Sequence, residues 1–321
     1  MRKVIFVGGT SFSGSTAFHL MLANDPGGFA CGETESLFFP QRDGHVTRLN
    51  DAGPESLRIW NQAYLAGPDR VYEHIFESMP DVKFIVDSSK NPHWIRMQND
   101  LLRRQGFNVY NLLIWKTPLE FAQSRKKRNS LAAWQKEWRN AHRAYFTLIE
   151  RWKAVQYRQL ALEADTVLAA ACAEVGIPFL SGKAEFWHKA SHHLGGNYSA
   201  RVHLHNGSEA ERFMSRWIND DRKQRHKQVY YEEVSDRELT EEVDAVTRAC
   251  ADIGRIEEAL VANDIATASG FVPPPARLRI APVERSLRSA RESCRRWLGN
   301  RLYGSQIKLI LDHFEQERYE P

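Results

Sequence analysis

The sequence predicts an α/β protein in which a central parallel sheet is flanked by helices in three layers. Short β-branched and aromatic runs, Val4 to Val7, Lys83 to Val86 and Val109 to Trp115, read as buried strands. Helix-start signals follow the first and third of them. Alternation of strands and helices favours a parallel sheet, because each parallel crossover carries a helix back over the sheet face.

In chain order, Val4-Ile5-Phe6-Val7 stops at Gly8-Gly9, too early for the apolar region of a signal peptide. A polar loop, Thr10 to Ser13, leads into a helix beginning near Gly14. Ala17, Phe18, Met21 and Leu22 lie at helical spacing, and Asn24-Asp25-Pro26-Gly27-Gly28 ends the element. The second strand runs into Asp87-Ser88-Ser89-Lys90. The third meets Thr117-Pro118-Leu119-Glu120, with Thr as N-cap, Pro at the first helical position and Glu three residues after the cap. That helix is expected to reach about Arg128.

A long helical pattern follows from Leu131 to about Lys153. Its stripe of Trp134, Trp138, Tyr145, Ile149 and Trp152 is read as packing against the sheet. Val155 to Leu160 is a further candidate strand, and Glu163 to Val175 an alanine-rich helix closed by Gly176. Residues 1–270 are expected to form the α/β domain. Pro273-Pro274-Pro275 is a stiff connector to a basic tail, 271–321, helical from Gln306 to Phe314. The tail is read as a solvated helix pair, with a lid over the substrate cleft or a homodimer arm as its functional alternatives.

The 321 residues suffice for one large α/β domain, and 42% hydrophobic with 26% charged content is ordinary for a globular chain. No apolar stretch approaches the roughly 20 residues of a membrane span. Cys31, Cys172, Cys250 and Cys294 show no CxxC or Cys/His metal spacing, so reduced thiols in a cytoplasmic protein and no metal are expected. The net charge of +4 gathers at Arg125–Arg128, Arg222–Lys227 and Arg285–Arg301. Such clusters suit an anionic small molecule as well as nucleic acid. No nucleic-acid motif accompanies them, so no nucleic-acid partner is expected.

Gly9-Thr10-Ser11-Phe12-Ser13-Gly14-Ser15-Thr16 fits G-x-x-x-x-G-K-[ST], with Ser15 in place of the lysine. Glycines let the backbone turn tightly, so that several N–H groups converge on one anion, and the helix starting at Gly14 adds its positive end. The sheet is therefore expected to be P-loop-like, with the tail as a helical C-terminal extension. Without the lysine, γ-phosphate chemistry on Mg-ATP loses its main local cation. A loop that holds a 5′-phosphate without a metal is the natural alternative.

The loop resembles the 5′-phosphosulfate loop of sulfotransferases that use 3′-phosphoadenosine 5′-phosphosulfate (PAPS, leaving PAP). The likeness lies in Ser13-Gly14-Ser15-Thr16; Phe12 stands where the family more often carries a cation. The resemblance implies Ser11, Phe12, Ser13, Gly14, Ser15 and Thr16 as the donor loop. Lys116-Thr117-Pro118 with Ser124 keeps the spacing of the family's 3′-phosphate site, with lysine as a point charge instead of a bidentate arginine. Asp87-Ser88-Ser89-Lys90-Asn91-Pro92 is similar to the D-S-S-K segment of bacterial members and nominates Lys90 as the missing cation. His192-His193-Leu194-Gly195-Gly196-Asn197 is similar to their H-x-x-G-G-N segment, with Arg201 as a further 3′-phosphate ligand. After the first helix, Cys31-Gly32-Glu33-Thr34-Glu35 implies Glu33 as general base, with Glu35 second. The resemblance implies sulfuryl transfer to a hydroxyl or amine of a small-molecule acceptor. The alternatives are a small-molecule kinase on a degenerate P-loop and a non-catalytic nucleotide- or nucleic-acid-binding protein.

Overall fold

Strand β1 (Lys3–Gly9) sits at the centre of a five-stranded parallel sheet in the order β2-β3-β1-β4-β5. The other strands are β2 (Gly28–Gly32), β3 (Phe84–Asp87), β4 (Asn108–Trp115) and β5 (Lys153–Gln156). The computed structural model describes residues 2–41, 43–50, 53–189, 191–218 and 223–317; Arg222 of the second basic cluster and the tail beyond 317 lie outside them. β1 pairs with β3 on one side and β4 on the other, both in parallel register. The chain fills one half of the sheet with β2 and β3, then crosses β1 to build β4 and β5. That reversal opens a crevice beyond the carboxyl end of β1, where open α/β sheets bind ligands.

Val4 to Val7 are fully buried because both sheet faces are covered. Alternate strand residues point to opposite faces. Val4, Phe6, Ile85, Leu113 and Ala154 pack with Trp60, Trp94, Trp138 and Phe121 on one side. Ile5, Val7, Val86, Ile114 and Val155 pack with Phe18, Met21 and Leu168 on the other. The result is the expected three layers. The stripe Trp134, Trp138, Tyr145, Ile149 and Trp152 is buried throughout, as packing requires.

Three boundaries differ from expectation. The segment Gly28–Gly32 is strand β2, hydrogen-bonded to β3. Its outer edge is covered where Leu194 donates to Cys31 O and Glu33 donates to Leu194 O, both at 2.7 Å. The helix after the capping box's own helix stops at Leu148, since Ile149 is extended. Trp152 stays in the helical phase only because burial continues past the helix end. Lys153 to Gln156 is then β5, and the chain turns at once into a helix, Tyr157–Leu162, where the sequence predicts a strand continuing to Leu160.

The tail runs as a helix, Pro282–Gly299, a π-helical turn, Asn300–Gly304, and a helix, Ser305–Glu317. Ile307 and Leu311 are buried and join the core around Leu49 and Trp60. Gly299 lies against the Pro40 carbonyl, so close that an added Cβ would stand 2.0 Å from it.

Candidate active site

All five strand ends deliver chemistry to the same edge of the sheet. Beyond β1, the loop Thr10 to Gly14 ends in a helix, Ser15–Ala23, with Gly14 as its N-cap at φ 97°. A Cβ on Gly14 would stand 2.2 Å from the Tyr157 ring, so both backbone and space demand glycine. Phe12 is held at φ 66°, a costly conformation for an aromatic residue. Its ring carries the Arg128 guanidinium at 3.7 Å and the Arg125 guanidinium at 5.9 Å. The loop thus acquires through stacking the positive charge that its own sequence lacks. Ser13 is fully buried and its Oγ has no hydrogen-bond partner. Asn197 N donates to Thr16 Oγ1 at 3.0 Å, and Gly196 lies against the same threonine, so the Gly-Gly-Asn segment closes on the loop.

The ends of β2 and β3 are stitched together. Asp87 accepts from Tyr72 Oη at 2.6 Å and from Ser89 N at 2.5 Å, and burial pushes its carboxyl pKa up. Glu35 N donates to Ser89 Oγ at 3.0 Å. This scaffold brings Lys90 Nζ to 2.5 Å from Glu33 Oε1. Both side chains line a cavity of about 490 Å³ with Ser11, Phe12, Gly14, Ser15, Thr16, Lys116 and Ser124. Ser11, Glu33 and Lys90 also line an adjoining cavity of about 650 Å³, walled by Glu35, Phe39, Asn91 and, from the tail, Glu292 and Arg295. Glu35 is buried and turned toward that wall, with Asn91 Nδ2 at 2.7 Å and Arg296 at 3.4 Å. Burial raises its pKa to about 7, against the pull of Arg296.

Beyond β4, the predicted capping box is complete: Glu120 N donates to Thr117 Oγ1 and Thr117 N to the Glu120 carboxylate. It fixes the helix Pro118–Lys126 so that Lys116 Nζ donates to Ser124 Oγ at 3.0 Å. Lys116 lies 4.5 Å over the Tyr157 ring, and burial lowers its pKa to about 8, partly offset by Glu120. Arg201 is buried and stacked on Tyr198 and Phe213, one residue past the lining stretch Asn197 to Ala200.

The two histidines of the His-His-Leu-Gly-Gly-Asn segment separate. His192 bonds Ser56 and stacks on Phe29, while the His193 ring lies 5.8 Å from that of His19. Burial drives His193 well below the usual histidine pKa and His19 to about 4, which keeps both neutral. Among the described residues no group of three or more His, Cys, Asp or Glu is arranged to hold a metal ion.

Sequence reasoning missed Lys127, Arg128, Arg225, Tyr157 and Tyr230 as cavity residues. The basic clusters contained the first three, but nothing local to them indicated a direction. Tyr157 becomes legible once β5 is ended at Gln156, because it then occupies a strand end as Lys116 does.

No protein-family model and no curated protein matches the chain. It is similar to a solved sulfotransferase domain from the curacin biosynthetic pathway, at 13% identity over 77% of this chain and 98% of that one, with a TM-score of 0.44. It is also similar to the sulfotransferase domain from the Synechococcus PCC 7002 olefin synthase, at 15% identity over 77% and 94%, with a TM-score of 0.46.

Proposed function

We propose that the chain is a PAPS-dependent sulfotransferase that modifies a hydroxyl or amine of a small-molecule acceptor. One observation carries this reading. The phosphate loop, the Lys90–Glu33 pair and the Lys116–Ser124 pair come from different strand ends and line one cavity. The residues fit a nucleotide donor: about 490 Å³ is an ordinary ligand volume, with Lys116, Lys127, Arg128 and Arg225 for its anions and Leu160 and Phe186 for its flat base. The buried, unpartnered Ser13 Oγ is a further donor beneath the loop.

PAPS supplies the sulfuryl group and a phosphate leaving group. In this reading Ser11, Ser13, Ser15 and Thr16, with the backbone of Phe12 and Gly14, hold the 5′ end. Lys116 and Ser124 hold the 3′-phosphate, and Arg201 is a candidate for the same phosphate through a small movement of its segment. Lys90 stabilises charge developing on the leaving oxygen. Glu33 accepts the acceptor's proton, and its ion pair with Lys90 orients it. Glu33 is favoured over Glu35 because it borders both cavities, whereas Glu35 borders only the second. That second cavity is the acceptor site.

The test is thermal stabilisation by PAP against ATP–Mg and AMP, followed by mass spectrometry of acceptors incubated with PAPS. PAP is expected to stabilise most. A shift with ATP–Mg and none with PAP would sink the sulfotransferase reading and favour the kinase.

A further inference from the structure

The helix Pro282–Gly299 is turned inside out. Its charged face is directed at the protein body, where Arg288 reaches Asn140 at 3.4 Å, Glu292 accepts from Asn91 at 2.6 Å and Arg296 stacks on Phe39 at 4.7 Å. Its apolar residues look outward: Leu287 and Trp297 are each 59% exposed and Leu298 47%. The strip continues across the π-helical turn with Leu302, 53% exposed, and Leu309, 69% exposed. Leu287 and Leu298 stand eleven residues apart within one helix, a spacing that puts them on one face, and beyond the π-helical turn Leu309 is exposed opposite the buried Ile307 and Leu311. Leu287 and Leu298 alone stand roughly 16 Å apart at 1.5 Å per residue, and Leu302 and Leu309 extend the exposed apolar strip beyond the turn. An exposed apolar line of this length marks a contact surface.

The charges around it select the contact. From Arg285 to Asp312 the exposed charged residues are Arg285, Arg291, Arg295, Arg301 and Lys308, with Asp312 as the one exposed acid. Beside Leu287 lies a groove of about 570 Å³ lined by Lys136, Arg139, Arg143 and Arg288, with Glu284 as its one acid. We propose that this face docks on an anionic lipid bilayer, with the helix lying in the interfacial plane. The leucines and Trp297 enter the boundary of the acyl chains while the arginines and the basic groove meet lipid phosphates. A second copy of the chain fits less well, since pairing the strip with itself sets five exposed basic residues, Arg285, Arg291, Arg295, Arg301 and Lys308, against their own kind with Asp312 alone to offset them. No helix among the described residues is long and apolar enough to cross a membrane, so the contact is a surface one.

The experiment is co-sedimentation of the full chain with vesicles of phosphatidylcholine alone or mixed with phosphatidylglycerol, over a range of salt. The chain is expected to bind the mixed vesicles, to ignore the neutral ones, and to be released as salt rises. Arg291→Glu with Arg301→Glu should lower the partition coefficient at least ~tenfold, by the contribution of each arginine near an anionic surface. Leu298→Glu should do the same, with Leu309→Glu as an independent substitution on the following helix, all with unchanged thermal melting. Absence of binding, equal binding to neutral vesicles, or undiminished binding by these variants overturns the proposal. So does light scattering that finds a native dimer made monomeric by Leu298→Glu, which assigns the strip to a second copy.

Discussion

Lys90 and Glu33 lie at the ends of neighbouring parallel strands, held by backbone and side-chain bonds around buried Asp87. Such a pair aims two opposite charges at one spot. Glu33→Gln keeps the shape and removes the proposed base. Turnover should fall at least ~100-fold, as for loss of a general base, while PAP affinity measured by calorimetry changes little; full activity removes Glu33 from the mechanism. Lys116 makes a different test. Its pKa of about 8, lowered mainly by burial, means that it is charged at neutral pH and loses that charge just above. A bound phosphate favours the charged form and raises the pKa, so PAP affinity is level below pH 8 and falls by up to ~tenfold per unit above it. Lys116→Arg, which stays charged, should flatten that fall. An unchanged alkaline limb in Lys116→Arg excludes this lysine as the titrating ligand.

At the scale of elements, the loop after β1 depends on its glycines, Gly14 among them. Gly14→Ala forces a side chain into a left-handed conformation and against the Tyr157 ring. Urea unfolding should show a loss of about 2 kcal/mol or more, and stabilisation by PAP should vanish. A variant with native stability and native PAP binding contradicts the loop geometry. The elements readable in the sequence were those with a continuous apolar run: β1, β3 and β4 each lie between covered layers and declare it. β2, Gly-Phe-Ala-Cys-Gly, does not, because its strand state comes from pairing with β3 and cover by Leu194, neither of which is local. β5 was hidden by Trp152, buried in step with the preceding helix. Around the cavity, motif spacing singled out Glu33 and Lys116 directly after a strand, Lys90 three residues after one, and Ser124 about two turns into the next helix. The stacking of Arg128 on Phe12 was not legible, since no pattern in either segment specifies the other.

Across the whole molecule, the longest-range tie at the site joins residues 261 apart: Arg296 on the tail reaches Glu35 at the end of β2. Asn91 Nδ2 serves both Glu35, at 2.7 Å, and Glu292, at 2.6 Å, so two carboxylates share one amide and one guanidinium between the sheet and the tail. Burial is the largest influence on Glu35 and raises its pKa from 4.5 to about 7 in the folded protein. The folded state therefore holds this proton more tightly than the unfolded chain. Below about pH 4.5 both states are protonated and the group costs nothing. As pH climbs to 7 the unfolded chain ionises first, and stability falls by roughly 3 kcal/mol from this group alone. Glu35→Gln keeps the Asn91 contact without the buried charge. It should match the native protein near pH 4, exceed it in urea unfolding at pH 8, and flatten the slope between. Arg296→Ala should steepen that slope, because it removes the cation that tempers the charge. Parallel pH profiles for the native protein and Glu35→Gln would show that the carboxylate between sheet and tail is not what the fold's pH dependence reports.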